Sequence, residues 1–91
     1  MNHLITVELQ KFVVENFLLG QPEETLAEDS SFLENGIIDS TGILELIGFV
    51  ERTFDLHMED DDLVPANLDS LRKLTLFIER KRAAATKEAS A

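Results

Sequence analysis

Apolar residues recur at helical spacing in three separate segments of the chain, and no segment alternates between apolar and polar residues for long enough to make a strand. Positions three or four residues apart lie on one face of an α-helix, so each segment predicts a helix with one buried side. A chain of 91 residues is expected to form one domain with a single small core. The sequence therefore predicts an all-α bundle.

The first predicted helix runs from Leu4 to Leu19. Its expected buried side consists of Ile5, Leu9, Phe12, Val13 and Phe17. Gly20 and Pro22 are predicted to end this helix, because glycine favours the left-handed C-cap conformation and proline cannot continue the helical hydrogen bonds. From Gly20 to Asp39 the sequence has no clear period, and we expect a long ordered loop. The apolar residues expected to pin this loop to the core are Leu26, Phe32, Leu33, Ile37 and Ile38.

A second helix is predicted to begin at Asp39 and Ser40, since either side chain can accept a hydrogen bond from the first free amides. Its apolar pattern consists of Ile43, Leu44, Leu46, Ile47, Val50 and Phe54. The acidic run from Glu59 to Asp62 favours one short helical turn, because acidic side chains stabilise the positive end of a helix. We expect Pro65 to close that turn.

The last predicted helix is capped by Asp69 or Ser70 and carries a basic run, residues 80–82, at its negative end. Its buried stripe consists of Leu71, Leu74, Phe77 and Ile78. Ala83 to Ala91 are expected to fray, so the predicted domain is residues 1–82 and the tail is residues 83–91. The sequence thus predicts a four-helix bundle of three principal helices plus one short helix, with the long ordered loop between the first two.

Composition limits the ligands of such a chain. A formal net charge of −10 disfavours nucleic acid and anionic membranes and favours basic protein partners. Cysteine is absent, so neither disulfides nor thiolate metal sites can form, and the consecutive acids of residues 59–62 lack the ligand spacing of a calcium loop. No metal site is predicted. Since the N-terminal residues lack the basic start and long apolar run of a signal peptide, we expect a soluble, cytoplasmic monomer.

Ser40 has three possible roles. As a helix cap it needs no other function. As a hydrolase nucleophile it requires an adjacent base, yet the histidines are His3 and His57 and neither adjoins it in sequence, while Ile38 stands where a G-x-S-x-G turn needs its first glycine. As a modified residue it is well placed, because a helix N-terminus stabilises a phosphate group. The residues alone do not choose between the cap and the modification site.

The segment from Gly36 to Gly42, Gly-Ile-Ile-Asp-Ser-Thr-Gly, resembles the phosphopantetheine attachment motif of acyl and peptidyl carrier proteins. In that family a hydrophobic pair precedes Asp-Ser, and the motif opens the second helix about forty residues from the start. The likeness extends to Phe54-Asp55-Leu56 and to residues 61–71, so that it spans nearly residues 3–82. The chain is thereby similar to the stand-alone members of the family.

The resemblance implies that a phosphopantetheinyl transferase moves the 4'-phosphopantetheine arm from coenzyme A to Ser40, and that Asp39 helps to hold the metal of the transferase. An adenylating acyl or aminoacyl ligase would then load the thiol of the arm, and a downstream acyltransferase or synthase would receive the cargo. The chain itself would be a non-catalytic carrier.

The resemblance further implies that the second helix meets partner enzymes through an outward stripe that consists of Thr41, Glu45, Gly48 and Arg52, with Glu51 beside it. Thr41 stands where many carriers have leucine or methionine, and Arg52 stands where many have glutamate. Both departures favour a specialised lipid or secondary-metabolite pathway over general fatty-acid synthesis. A second function remains open, that of an unmodified helical adaptor that binds a partner enzyme through its acidic face.

The chain contains six phenylalanines, and some carriers enclose their cargo between the helices. Helical spacing of these aromatic residues is also what a packed core requires. We expect core packing rather than a cargo cavity.

Overall fold

The computed structural model describes residues 3–18 and 26–90, with side chains described as far as residue 84. Within these residues the chain forms α1 (His3–Phe17), α2 (Ser40–Phe54), a 3₁₀ turn (Asp60–Asp62), α3 (Pro65–Leu68) and α4 (Leu71–Ser90). The described ranges contain no strand, and the fold is the predicted helical bundle with an ordered loop, described from Leu26 onwards, before α2. Gly20 and Pro22, the predicted end of the first helix, lie outside the described residues.

The core forms where α1, α2 and α4 bring their apolar sides together. Ile5, Leu9 and Val13 are buried on α1, at the spacing of four residues that places them on one face. Leu46 and Val50 are buried on α2. The α4 stripe of Leu71, Leu74, Phe77 and Ile78 is buried as predicted. Between α1 and α4 the hydroxyl groups of Thr6 and Thr75 lie 2.9 Å apart and form a buried hydrogen bond.

The phenylalanine rings divide into two sets. Phe32 and Phe77 are buried in the core. The ring of Phe12 stacks on that of Phe49 with centroids 4.1 Å apart, and Phe17 and Phe54 each meet this pair edge to face. These four rings are partly buried and pack against the core.

The acidic segment differs from its prediction. Asp60–Asp62 forms a 3₁₀ turn, but Pro65 does not close it: Pro65 is the first residue of α3. The first position of a helix suits proline, because its backbone nitrogen would have no helical acceptor there and its φ angle is already close to the helical value. The proline therefore begins a helix instead of ending one.

The backbone of α4 continues beyond the predicted domain end at residue 82. It is helical as far as Ser90, and the expected fraying from Ala83 stays a prediction. Alanine has the highest intrinsic helix propensity, and residues 83–85 are all alanine, so the sequence itself favours continuation of the helix. The division of the chain into a domain of residues 1–82 and a tail stays a prediction.

An ion pair joins α4 to the 3₁₀ turn. Lys81 Nζ lies 2.7 Å from Asp62 Oδ2, and both side chains are largely shielded from solvent. The Lys81 ammonium, together with the N–H of Glu59, holds the pKa of Asp62 below its ordinary value of 3.8. Because the folded-state pKa is the lower one, this carboxylate stabilises the fold above pH 3.8, and that stabilisation is lost as the pH falls through the lowered pKa.

We therefore expect Asp62→Asn to lower the melting temperature by a few degrees at neutral pH, and the difference from wild type to shrink as the pH approaches about 2. Thermal unfolding followed by circular dichroism across this range measures both effects. Asp61→Asn is the control, because the exposed Asp61 side chain makes no ion pair within the described residues. A difference for Asp62→Asn that stays constant with pH would contradict the ion-pair explanation.

Candidate functional site

Ser40 is the first residue of α2, and the residue before it caps the helix. Asp39 Oδ1 accepts a hydrogen bond from the Gly42 N–H at 2.7 Å, and the Asp39 carbonyl accepts one from the N–H of Ile43 at 3.0 Å. Ser40 is exposed, and its hydroxyl makes no hydrogen bond within the part of the chain that the structure describes. Of the two predicted cap residues, Asp39 therefore acts as the cap, and the Ser40 hydroxyl is not needed for that purpose.

Neither histidine lies near Ser40. His57 follows the opposite end of α2, which at 15 residues is about 22 Å long, and its imidazole lies 3.7 Å from Glu51 and from Glu59. His3 begins α1, whereas the other end of α1, at Phe17, is the part that approaches the start of α2. A serine nucleophile needs its base within hydrogen-bond reach, so the two histidines do not form a hydrolase site with Ser40.

Gly42 allows α1 and α2 to approach each other at the site. A Cβ atom at this position would lie 2.7 Å from the Phe17 ring and 2.8 Å from Ile38 Cγ2. It would also lie 3.3 Å from the Asp39 oxygen that caps the helix. Only glycine fits these contacts without displacement, so the small residue two positions after Ser40 sets how closely the helix start packs on the core.

The loop before α2 is ordered by its own hydrogen bonds. The Phe32 carbonyl accepts hydrogen bonds from the N–H groups of Ile37, at 2.9 Å, and Ile38, at 3.2 Å. Gly36 lies between these partners with a φ of 66°, a left-handed conformation that glycine adopts without strain. Phe32 and Ile38 are buried in the core, as predicted. The described part of the loop is therefore ordered up to Asp39 and Ser40.

An apolar depression of about 200 Å³ opens beside Ser40. Its lining residues are Leu33, Ser40, Ile43, Leu63, Val64, Pro65, Leu68 and Asp69. They come from the loop, from α2 and from the segment around α3, so the depression lies where these three parts meet. Leu63 and Val64 are partly exposed at its edge. Leu33 was expected to pin the loop to the core, but it is 43% exposed and lines the depression instead. An apolar group attached to Ser40 would have a surface to contact.

The predicted partner stripe is only partly continuous. Thr41, Glu45 and Arg52 are exposed, and Gly48 is half-buried because the Arg52 guanidinium lies over it, 3.2 Å from where a Cβ atom would stand. Glu51 points elsewhere: its Oε2 accepts a hydrogen bond from the Met58 N–H at 3.0 Å and lies 3.7 Å from His57. Glu51 thus stabilises the segment after α2, and its part in partner binding stays a prediction.

Leu44 is the site residue that the sequence pattern assigned to the wrong face. It was expected to belong to the apolar pattern of α2, but 67% of its surface is exposed. Leu44 lies four residues after Ser40 and therefore on the same face, whereas the buried Leu46, two residues further on, points about 200° away around the helix. This angular offset is the sequence signal that could have identified Leu44 as exposed.

The described residues include no group of three or more His, Cys, Asp or Glu side chains that could hold a metal ion.

No protein-family model and no curated protein sequence matches the chain. Among solved structures, the chain is similar to the holo form of an acyl carrier protein from Nitrosomonas europaea. The two chains are 28% identical, and the structural match has a TM-score of 0.72 and covers 91% of this chain and 99% of the other. The helix order and the absence of strands in the described residues agree with that fold. The resemblance to carrier proteins is therefore confirmed, and the chain has the fold of an acyl carrier protein.

Proposed function

We propose that this chain carries an acyl or aminoacyl group as a thioester on a 4'-phosphopantetheine arm attached to Ser40. The observation that carries the proposal is the separation of roles at the start of α2. Asp39 caps the helix through its hydrogen bond to Gly42, while the exposed Ser40 hydroxyl has no structural partner among the described residues. The likeness to a holo acyl carrier protein supports the same function.

The surroundings of Ser40 suit a phosphodiester. The backbone N–H groups of Ser40 and Thr41 are at the free end of α2 and donate to no acceptor in the described ranges. Such amides, together with the helix dipole, stabilise an anionic group at this end. Asp39 uses one oxygen for the cap, and no further hydrogen bond engages its carboxylate in the described residues. We infer that this carboxylate helps to hold the metal ion of the transferase.

Attachment requires one exchange of bonds. The Ser40 oxygen forms a new bond to the phosphorus next to the pantetheine arm, and the bond from that phosphorus to the bridging oxygen of the coenzyme A pyrophosphate breaks. The nucleotide part leaves with the electron pair and the bridging oxygen, and the Ser40 proton would pass to a base of the transferase. The arm then supplies a thiol that holds cargo as a thioester. The chain's own part is to present the hydroxyl, to stabilise the phosphate through the start of α2, and to offer the apolar depression beside Ser40.

The partners follow from this role. A phosphopantetheinyl transferase would attach the arm, an adenylating acyl or aminoacyl ligase would load it, and a downstream acyltransferase or synthase would receive the cargo. The outward face of α2, with Thr41, Leu44, Glu45 and Arg52 exposed, is the surface that these enzymes would contact around Ser40. The chain would be non-catalytic and would act as a cytoplasmic monomer in a specialised lipid or secondary-metabolite pathway. No described helix is both long and apolar enough to cross a membrane.

The alternative is an unmodified adaptor with the same fold. The exposed Leu44 and the excess of acidic residues would serve a partner enzyme equally well without an arm. The two functions differ at one atom, the Ser40 oxygen, and modification of that atom therefore distinguishes them.

Incubation with coenzyme A, magnesium and a broad-specificity transferase should add one phosphopantetheine to the wild-type protein, measured as a shift in intact mass. Ser40→Ala should abolish the addition. The matched control is Ser30→Ala, which changes another serine of the described loop and should leave the addition intact. A wild-type protein that stays unmodified would favour the adaptor.

Stability measurements separate the cap from the attachment site. Asp39→Ala should lower the free energy of unfolding by about 1 kcal/mol, because it removes the hydrogen bond to Gly42. Ser40→Ala should change this free energy by less than about 0.5 kcal/mol, as for an exposed side chain without partners. Urea denaturation of both variants measures the difference. Equal losses in the two variants would mean that Ser40 shares the capping role.

Leu44 provides a test of the docking face. Leu44→Ser should lower kcat/KM for the transferase by about tenfold or more, because burial of a leucine side chain in an interface contributes roughly 1.5–3 kcal/mol. The loss should persist at high salt, since an apolar contact is not screened by ions. Leu76→Ser, at an exposed leucine on α4, should leave the rate unchanged. Equal effects of the two substitutions would exclude Leu44 from the interface.

A further inference from the structure

Asp69 carries a buried carboxylate in the short connection between α3 and α4. Only 8% of the residue is exposed. The side chain does not cap α4, because Ser70 Oγ accepts the hydrogen bond from the Lys73 N–H at 3.1 Å. A buried carboxylate is costly unless its oxygens accept hydrogen bonds, so its partners show what it stabilises.

The partners of Asp69 are three consecutive residues of the loop before α2. The Ser31 hydroxyl donates a short hydrogen bond to Asp69 Oδ2, and the Leu33 N–H donates to Oδ1 at 3.0 Å. The Phe32 N–H donates to the Asp69 backbone carbonyl at 3.0 Å. One residue at the start of α4 therefore holds a whole turn of the loop through both its side chain and its backbone.

The turn of residues 31–33 also holds the residues before Ser40. The Phe32 carbonyl accepts the N–H groups of Ile37 and Ile38, and Ile38 is followed directly by the cap residue Asp39. Asp69 and Ser40 also line the same apolar depression. A continuous series of hydrogen bonds and peptide units thus connects the Asp69 carboxylate to the first turn of α2.

A carboxylate suits this position better than an amide. Both oxygens of Asp69 accept hydrogen bonds, whereas asparagine would offer one acceptor and one donor. An asparagine at position 69 could keep both contacts in one orientation. Its amide oxygen would accept from the Leu33 N–H, and its NH₂ group would donate to the Ser31 hydroxyl, which can accept as well as donate. The negative charge also lies just before the N-terminus of α4, where the helix dipole stabilises it.

The first described part of the loop is held separately. The Arg72 guanidinium lies 3.2 Å from Glu28 and 2.8 Å from Asp29, and these groups are substantially exposed. Neither acidic residue contacts the turn of residues 31–33 in the described bonds. The Arg72 contacts thus hold the loop at residues 28 and 29, which do not line the depression beside Ser40, and they provide a comparison for the Asp69 contacts.

We propose that Asp69 is a positioning residue for the modification of Ser40: by holding residues 31–33 it fixes the start of α2 in the orientation that a transferase requires. The inference rests on the proposed function of Ser40. It assigns Asp69 no contact with coenzyme A and no part in proton transfer.

The experiment compares transferase kinetics and amide hydrogen exchange for four variants of the full chain. Asp69→Ala should lower kcat for arm transfer by about tenfold or more, because small misplacements of a reacting group reduce rates steeply. KM should change little, since the exposed face of α2 is intact. Asp69→Asn should recover part of the rate, and Arg72→Ala should keep the wild-type rate. Thr75→Ala, which breaks the buried bond to Thr6 between α1 and α4, is the control for general destabilisation.

Amide exchange distinguishes positioning from stability. Asp69→Ala should accelerate exchange at Ile37 and Ile38 more than at Val50 in the core, whereas Thr75→Ala should affect all three alike. If Asp69→Ala does not fold, Ser31→Ala removes the side-chain bond to Asp69, together with the bond from the Glu34 N–H to the Ser31 hydroxyl, and keeps the bonds of Asp69 to Leu33 and Phe32. It should show the same pattern to a smaller degree. A kcat loss in Thr75→Ala equal to that in the folded Asp69 or Ser31 variant would overturn the positioning role.

The proposed function and the positioning role fail in different ways. A wild-type protein that accepts no arm would overturn the function of Ser40, yet faster exchange at Ile37 and Ile38 in the Asp69 variant would still support the structural part of the inference. Unchanged exchange at these two amides would overturn the inference, whatever the modification of the wild type.

Discussion

The Phe32 side chain is fully buried, and this brings the loop around Phe32 close to the core. Backbone N–H and carbonyl groups that leave water need partners, and a loop has no helical ladder to provide them. Two groups provide these partners. Asp69 accepts hydrogen bonds from the turn of residues 31–33, and the Phe32 carbonyl accepts hydrogen bonds from the N–H groups of Ile37 and Ile38. Hydrogen bonds therefore connect the residues before α2 to the start of α4.

Much of the fold was accessible from the sequence because the helices obey a single spacing rule. The buried stripes of α1 and α4 agree with the apolar pattern, and the loop residues Phe32 and Ile38 are buried as expected. Ser40 was identified through a resemblance, and its attachment role is still a proposal. The pattern reached the correct fold because apolar positions at helical spacing mark the side of each helix that must be buried against another element.

The remaining features depend on contacts that sequence spacing does not encode. Whether Asp39 or Ser40 caps α2 is decided by which oxygen reaches the Gly42 amide. Asp69 and Ser70 look equivalent as caps, yet one faces the loop and the other faces α4. Proline can follow the end of one helix or occupy the first position of the next. Pro65 was assigned to the end of the acidic turn, but it begins α3, and the residues after it decide between the two positions. Leu44 was missed because hydrophobicity alone was taken as burial.

Asp39 caps α2 and Ser40 does not, and this separation also affects how the sequences of such proteins can diverge. Because the helix cap is Asp39, a single codon change at Ser40 would remove the proposed modification and is expected to leave the fold, the exposed face of α2 and the core intact. A duplicated copy could then persist as a binding protein without passing through an unstable intermediate. The reverse change is equally open, since a serine introduced after an aspartate cap would meet free amides already in place.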